Sequence, residues 1–74
     1  MYKRILEILE EINPTGEFEE CSDFFESELL DSFDIITFVE AIENEFGIEF
    51  NGDDIIPENF MNLDAIEVVV KKYI

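Results

Sequence analysis

Between Ile5 and Val70 every residue of this chain is acidic or neutral. The only cationic side chains, Lys3, Arg4, Lys71 and Lys72, lie at the two ends. With 20 acidic residues against 4 basic ones and no His, the formal charge is −16. An excess this one-sided costs folding stability through self-repulsion, so whatever fold forms must be held by apolar side chains. Eight Phe and a dense supply of Ile, Leu and Val provide them and set the chain apart from disordered acidic segments. The same charge repels phosphate backbones rather than releasing their counterions, which excludes a nucleic-acid partner. If both termini belong to adjacent helices, the four cations gather at one edge and leave a negative surface suited to a basic partner.

Seventy-four residues suit a single domain, 1–74. Domains this short bury only about 60% of the surface exposed on unfolding and often need a staple. None is available here. Cys21 is the only cysteine, so no internal disulfide can form, and without a second Cys or a His no zinc site can be assembled. That cysteine usage suits a reducing cytoplasm. The longest apolar run is Val68-Val69-Val70, so we expect a cytoplasmic protein that is not membrane-embedded, with no export signal. Monomer is the expected state.

Apolar spacing locates the helices. Ile5, Ile8, Leu9 and Ile12 form one stripe over Tyr2–Ile12, ended by Asn13-Pro14. From Asn13 to Asp31 the period is lost, and a long loop is predicted, pinned by Phe18, Phe24, Phe25, Leu29 and Leu30. Ile35, Phe38, Val39, Ile42 and Phe46 then define a helix over Ser32–Phe46, with Asp31 as N-cap, Asp34 complementing its first turn and Gly47 closing it. Ile48-Glu49-Phe50 reads as a short extended piece, Asn51-Gly52 as a turn, and Asp53–Ile56 as a brief helix before Pro57. Leu63, Ile66, Val69, Val70 and Tyr73 give a last helix running to Ile74. The expected fold is all-α: an antiparallel four-helix bundle of three main helices and one short third helix, with a long first loop.

The residues offer little for catalysis. The usual base, His, is missing, and carboxylate pairs need a cleft to separate their environments. A non-catalytic protein is expected. Asn51, Asp53, Asp54 and Glu58 invite a calcium reading, but Gly52 is misplaced for an EF-hand loop, and no metal site is assigned. Crowded carboxylates such as Glu43, Glu45, Asp53 and Asp54 would attract divalent cations loosely, as charge relief.

One segment stands out. Leu30-Asp31-Ser32-Phe33, continued through Asp34 to Ile48, resembles the Asp-Ser-Leu motif and second helix of acyl carrier proteins. The resemblance extends over essentially the whole chain. It implies a bundle carrying 4'-phosphopantetheine covalently on Ser32, with Asp31 as motif neighbour. A phosphopantetheinyl transferase would attach the arm, whose thiol holds acyl or aminoacyl cargo and carries it between enzymes. Phe33, Asp34, Ile36, Thr37, Glu40, Glu43 and Asn44 would then form a docking face, apolar above and acidic below, for basic enzyme patches. Phe33 is equally readable as a core residue, since it falls off the main stripe.

Departures from the family pattern bear on cargo. Phe33 replaces the usual Leu, Thr37 takes an often acidic place and Glu40 an often apolar one. Leu29-Leu30-Asp31 lacks the glycine lead usual in peptide-synthetase modules. The Leu-Leu-Asp-Ser-Phe run and the Phe-Gly-Ile-Glu ending are similar to stand-alone D-alanyl carrier proteins. Fatty acyl or polyketide cargo, received from acyl-transfer enzymes, and aminoacyl cargo, received from an adenylating ligase, both stay open. The alternative from another class is an unmodified acidic interaction module or inhibitor binding a basic protein surface, which would need no Ser32.

Overall fold

A computed structural model describes residues 1–74. The chain is all-helical, with α1 over Tyr2–Ile12, α2 over Ser32–Phe46, a single-turn α3 over Pro57–Phe60, and α4 over Leu63–Lys71. Two 3-10 turns, Phe18–Glu20 and Gly52–Asp54, interrupt the connections, and there is no strand. α1 packs on α2 and α4, and α3 packs on α4 and α2. α1 and α2 have the bounds expected from their stripes.

Each helix buries the face its spacing marks. Ile5, Ile8 and Leu9 turn inward from α1, Ile35, Phe38, Val39 and Ile42 from α2, and Leu63, Ile66, Val69 and Val70 from α4. All 16 buried residues are apolar, and no polar side chain is trapped among them. The Phe60 ring sits edge-on to Phe38 and Phe50, at centroid separations of 6.1 and 5.8 Å. Burying a side chain of this size contributes about 1.5–3 kcal/mol, so these rings do the work that a disulfide or metal does in other small domains. Gly47 closes α2 in the left-handed region at φ 65°, where an L side chain would be strained.

The first loop is long but anchored. Phe18, Phe24 and Leu30 are buried, Phe25 and Leu29 half-buried, and the Phe18 and Phe24 rings meet edge-on at 5.0 Å. Its backbone is tied to the rest by Phe24 N–H donating to Met61 O at 2.7 Å. Asn13 Nδ2 donates to Leu29 O and Asn62 Nδ2 to Ser22 O, both at 3.2 Å. Gly16 is required by the close approach of Phe18, because a Cβ there would lie 2.8 Å from the ring.

Two expectations are corrected, the place of the short helix and the end of the last one. The short helix begins at Pro57 instead of ending before it, since proline at the first helical position sacrifices no hydrogen bond. The Asp53–Ile56 stretch expected to be helical contributes only to the 3-10 turn at Gly52–Asp54, where Asn51 Oδ1 accepts the Asp53 N–H at 3.0 Å. α4 ends at Lys71, not Ile74: the N–H groups of Lys72 and Tyr73 bond three residues back, to Val69 O and Val70 O at 3.3 and 2.9 Å, and this tightened turn sets the Tyr73 ring 5.0 Å from Phe50.

The terminal cations are not all left free. Arg4 bridges to Glu45 of α2 at 2.8 Å and to Glu7 at 3.4 Å, and Lys72 pairs with Asp54 at 2.8 Å. Both therefore join separate parts of the chain, while Lys3 and Lys71 stay exposed.

Candidate functional site

The start of α2 is built by two aspartates. Asp31 is extended, and its Oδ1 accepts the N–H groups of Phe33 and Asp34, each at 2.9 Å. Asp34 Oδ2 reaches back to accept the Asp31 N–H at 3.2 Å, completing a reciprocal capping box. Ser32, the first helical residue, is thus relieved of any capping duty, and it is exposed. Its hydroxyl stands at the positive end of the helix, where a phosphate group is electrostatically favoured.

Beside Ser32 lies an open hollow of about 530 Å³. Phe25, Leu30, Ile35 and Pro57 form its apolar walls, and Glu28 and Asp31 supply carboxylates. Glu28 has φ 62°, the one non-glycine residue in the left-handed region. That conformation costs about 1–2 kcal/mol and lets the chain turn back so that Leu29 N–H and Leu30 N–H both donate to Phe24 O, at 2.8 and 3.1 Å. An exposed hydroxyl at a capped helix start, next to an open hollow, fits a covalently attached phosphodiester arm.

The face of α2 divides in two. Phe33 and Ile36 are 79% and 60% exposed, which settles Phe33 as a surface residue, and Thr37, Glu40 and Asn44 are exposed below them. Asp34 and Glu43 are different. Asp34 is half-buried and committed to the capping box, and Glu43 Oε2 accepts the Phe50 N–H at 2.8 Å. Both have internal partners where sequence reading expected partner-facing groups. In the other direction, Phe25, Glu28 and Pro57 border Ser32, yet no motif marked them, because they come from the first loop and from α3.

The chain matches a family model described as phosphopantetheine attachment site over residues 3–68. It belongs to that family. The match runs from α1 into α4 and contains both the α2 start and the hollow beside it. Domains of this family carry covalently attached 4'-phosphopantetheine, which makes that group the cofactor of this carrier domain. Such carriers work with phosphopantetheinyl transferase and acyl-transfer enzymes and are in general non-catalytic. Comparison with curated proteins and with solved structures returns no match. No helix is long and apolar enough to cross a membrane, and no group of three or more His, Cys, Asp or Glu is placed to hold a metal ion.

Proposed function

We propose that Ser32 bears the 4'-phosphopantetheine and that the chain is a stand-alone, monomeric, cytoplasmic carrier shuttling thioester cargo between enzymes. The observation that carries this reading is the exposed Ser32 at the first position of α2, with Asp31 and Asp34 holding the helix start in its place. The attached group supplies a terminal thiol that holds cargo as a thioester. The chain's own residues present and protect that attachment point. Asp31 and Asp34 fix the orientation of the first turn, and Phe33 and Ile36 offer an apolar contact next to it. Glu40, with the polar Thr37 and Asn44, would face basic groups on the transferase and on the loading enzymes. The protein is a substrate of those enzymes and not itself a catalyst.

For cargo we favour an aminoacyl group over a fatty acyl or polyketide chain. The similarity of the Leu29–Phe33 run to D-alanyl carriers supports this reading.

Intact mass tests the attachment. Incubated with coenzyme A, magnesium and a broad-specificity phosphopantetheinyl transferase, the wild-type chain should gain one arm and Ser32→Ala none. A folded apo protein that gains nothing from several transferases would favour an unmodified acidic interaction module. Loading of the holo form by an adenylating ligase with ATP and an amino acid, but not by an acyl-transfer enzyme, would establish the cargo class. The reverse result would overturn it.

A further inference from the structure

α4 stops at Lys71, and the residues after it reach across to the α2–α3 connection. The Tyr73 hydroxyl donates to Asp54 Oδ2 and accepts the Asn51 N–H at 2.9 Å. Lys72 Nζ lies 2.8 Å from Asp54 Oδ1. Both carboxylate oxygens of Asp54 are therefore held by the chain end. Asp54 is also the more shielded partner, with its side chain 21% exposed against 56% for Lys72, and charge-assisted bonds are stronger in such surroundings.

The same residue anchors α3. Asn59 Nδ2 donates to the Asp54 carbonyl at 2.8 Å. A single helical turn is not stable through its own hydrogen bonds, and α3 has no side-chain cap at its start. Its far end is secured by the buried Phe60 ring, but Ile55 and Ile56, leading into it, are 37% and 38% exposed. The near end thus depends on Asp54. Pro57, the first residue of α3, lines the Ser32 hollow together with Phe25, Leu30 and Ile35.

We propose that Lys72 and Tyr73 are positioning residues for the Ser32 site: by gripping Asp54 they hold the near end of α3, and with it the Pro57 wall of the hollow. This rests on Ser32 being the attachment point. The chain end, distant in sequence from the serine, then sets the shape of the surface that a transferase or loading enzyme meets around it.

Two readouts on the full chain test the grip and its consequence. Tyr73→Phe keeps the ring against Phe50 and removes only the hydroxyl, and Lys72→Met removes the charge. Hydrogen exchange at the amides of Ile55 and Asn59, which donate to Gly52 O and Ile56 O, should rise about tenfold or more in either variant, the loss expected for one bond to a charged group, and by clearly more than in the α1 and α2 cores, whose rates follow global stability. Unchanged exchange there, or a uniform rise across the chain, overturns the proposal. In arm transfer by one phosphopantetheinyl transferase, the KM for the carrier should rise at least about threefold with kcat unchanged, and Lys72→Arg should restore the wild-type value. Variants that match a loaded wild type in both constants overturn the positioning role. Failure of the wild type itself to accept the arm is a distinct result, which overturns the Ser32 reading and this role with it.

Discussion

Glu43 and Phe50 are joined by a hydrogen bond of 2.8 Å, from the Phe50 N–H to the Glu43 carboxylate. The Glu43 carbonyl also accepts the N–H of Ile48 at 3.1 Å, so one residue holds at two points the segment that follows the Gly47 turn. Removing that acceptor leaves a part-buried amide unpaired. Glu43→Ala should lower stability by about 1–2 kcal/mol, whereas Glu40→Ala, on the exposed face, should stay within about 0.5 kcal/mol. Urea denaturation of the two variants checks the contrast.

Asp31 and Ser32 are adjacent but separable. Asp31 caps α2 through two backbone amides, so Asp31→Ala should cost about 1–2 kcal/mol. Ser32→Ala should change stability by less than about 0.5 kcal/mol and still abolish arm attachment. Denaturation paired with intact mass distinguishes the two effects, and a large destabilisation by Ser32→Ala would contradict the division of labour.

Phe33 and Ile36 expose apolar surface that the core does not need. Alanine at both positions should leave the melting temperature nearly unchanged while weakening docking to a transferase by about tenfold, or about 1.4 kcal/mol. Calorimetry and the KM for the carrier read the two quantities independently.

Asp54 gives a directional pH prediction. Hydrogen bonds from Lys72 and then Tyr73 hold its carboxyl below the ordinary value of 3.8. A depressed carboxylate stabilises the fold above its unfolded value, and that contribution is lost as pH falls through the lower, folded one. The stability difference between wild type and Lys72→Met should therefore be constant near neutrality and shrink below about pH 4, as denaturation at stepped pH would show.

The charge of −16 gives a prediction about salt. Screening weakens repulsion among exposed carboxylates within a Debye length of about 8–10 Å near physiological ionic strength. Raising sodium chloride from about 0.01 to 0.15 M should increase the melting temperature by several degrees. A flat response would mean that the carboxylates are spread widely enough to tolerate one another.

Much of the architecture was legible because its code is local. The bounds of α1 and α2 follow from apolar residues at helical spacing, from Asp31 as a cap and from Gly47 as a stop, all contained in consecutive residues. Pro57 was legible in principle too, since proline marks helix starts as readily as breaks. The end of α4 was not. Tyr73 continues the apolar stripe, and nothing in its neighbours marks the tightened last turn in which its ring meets Phe50 and its hydroxyl Asp54.

The site divides along the same line. Sequence by itself determined the helix start that displays Ser32 and the acidic, apolar-topped character of the α2 face, because capping and periodicity act between neighbours. Tertiary structure alone decided that Phe33 stays in solvent, that Glu43 turns to the Phe50 amide, and that Phe25, Glu28 and Pro57 gather beside Ser32. Those choices depend on which segments pack together, and packing brings into contact residues whose separation along the chain carries no signal of their meeting.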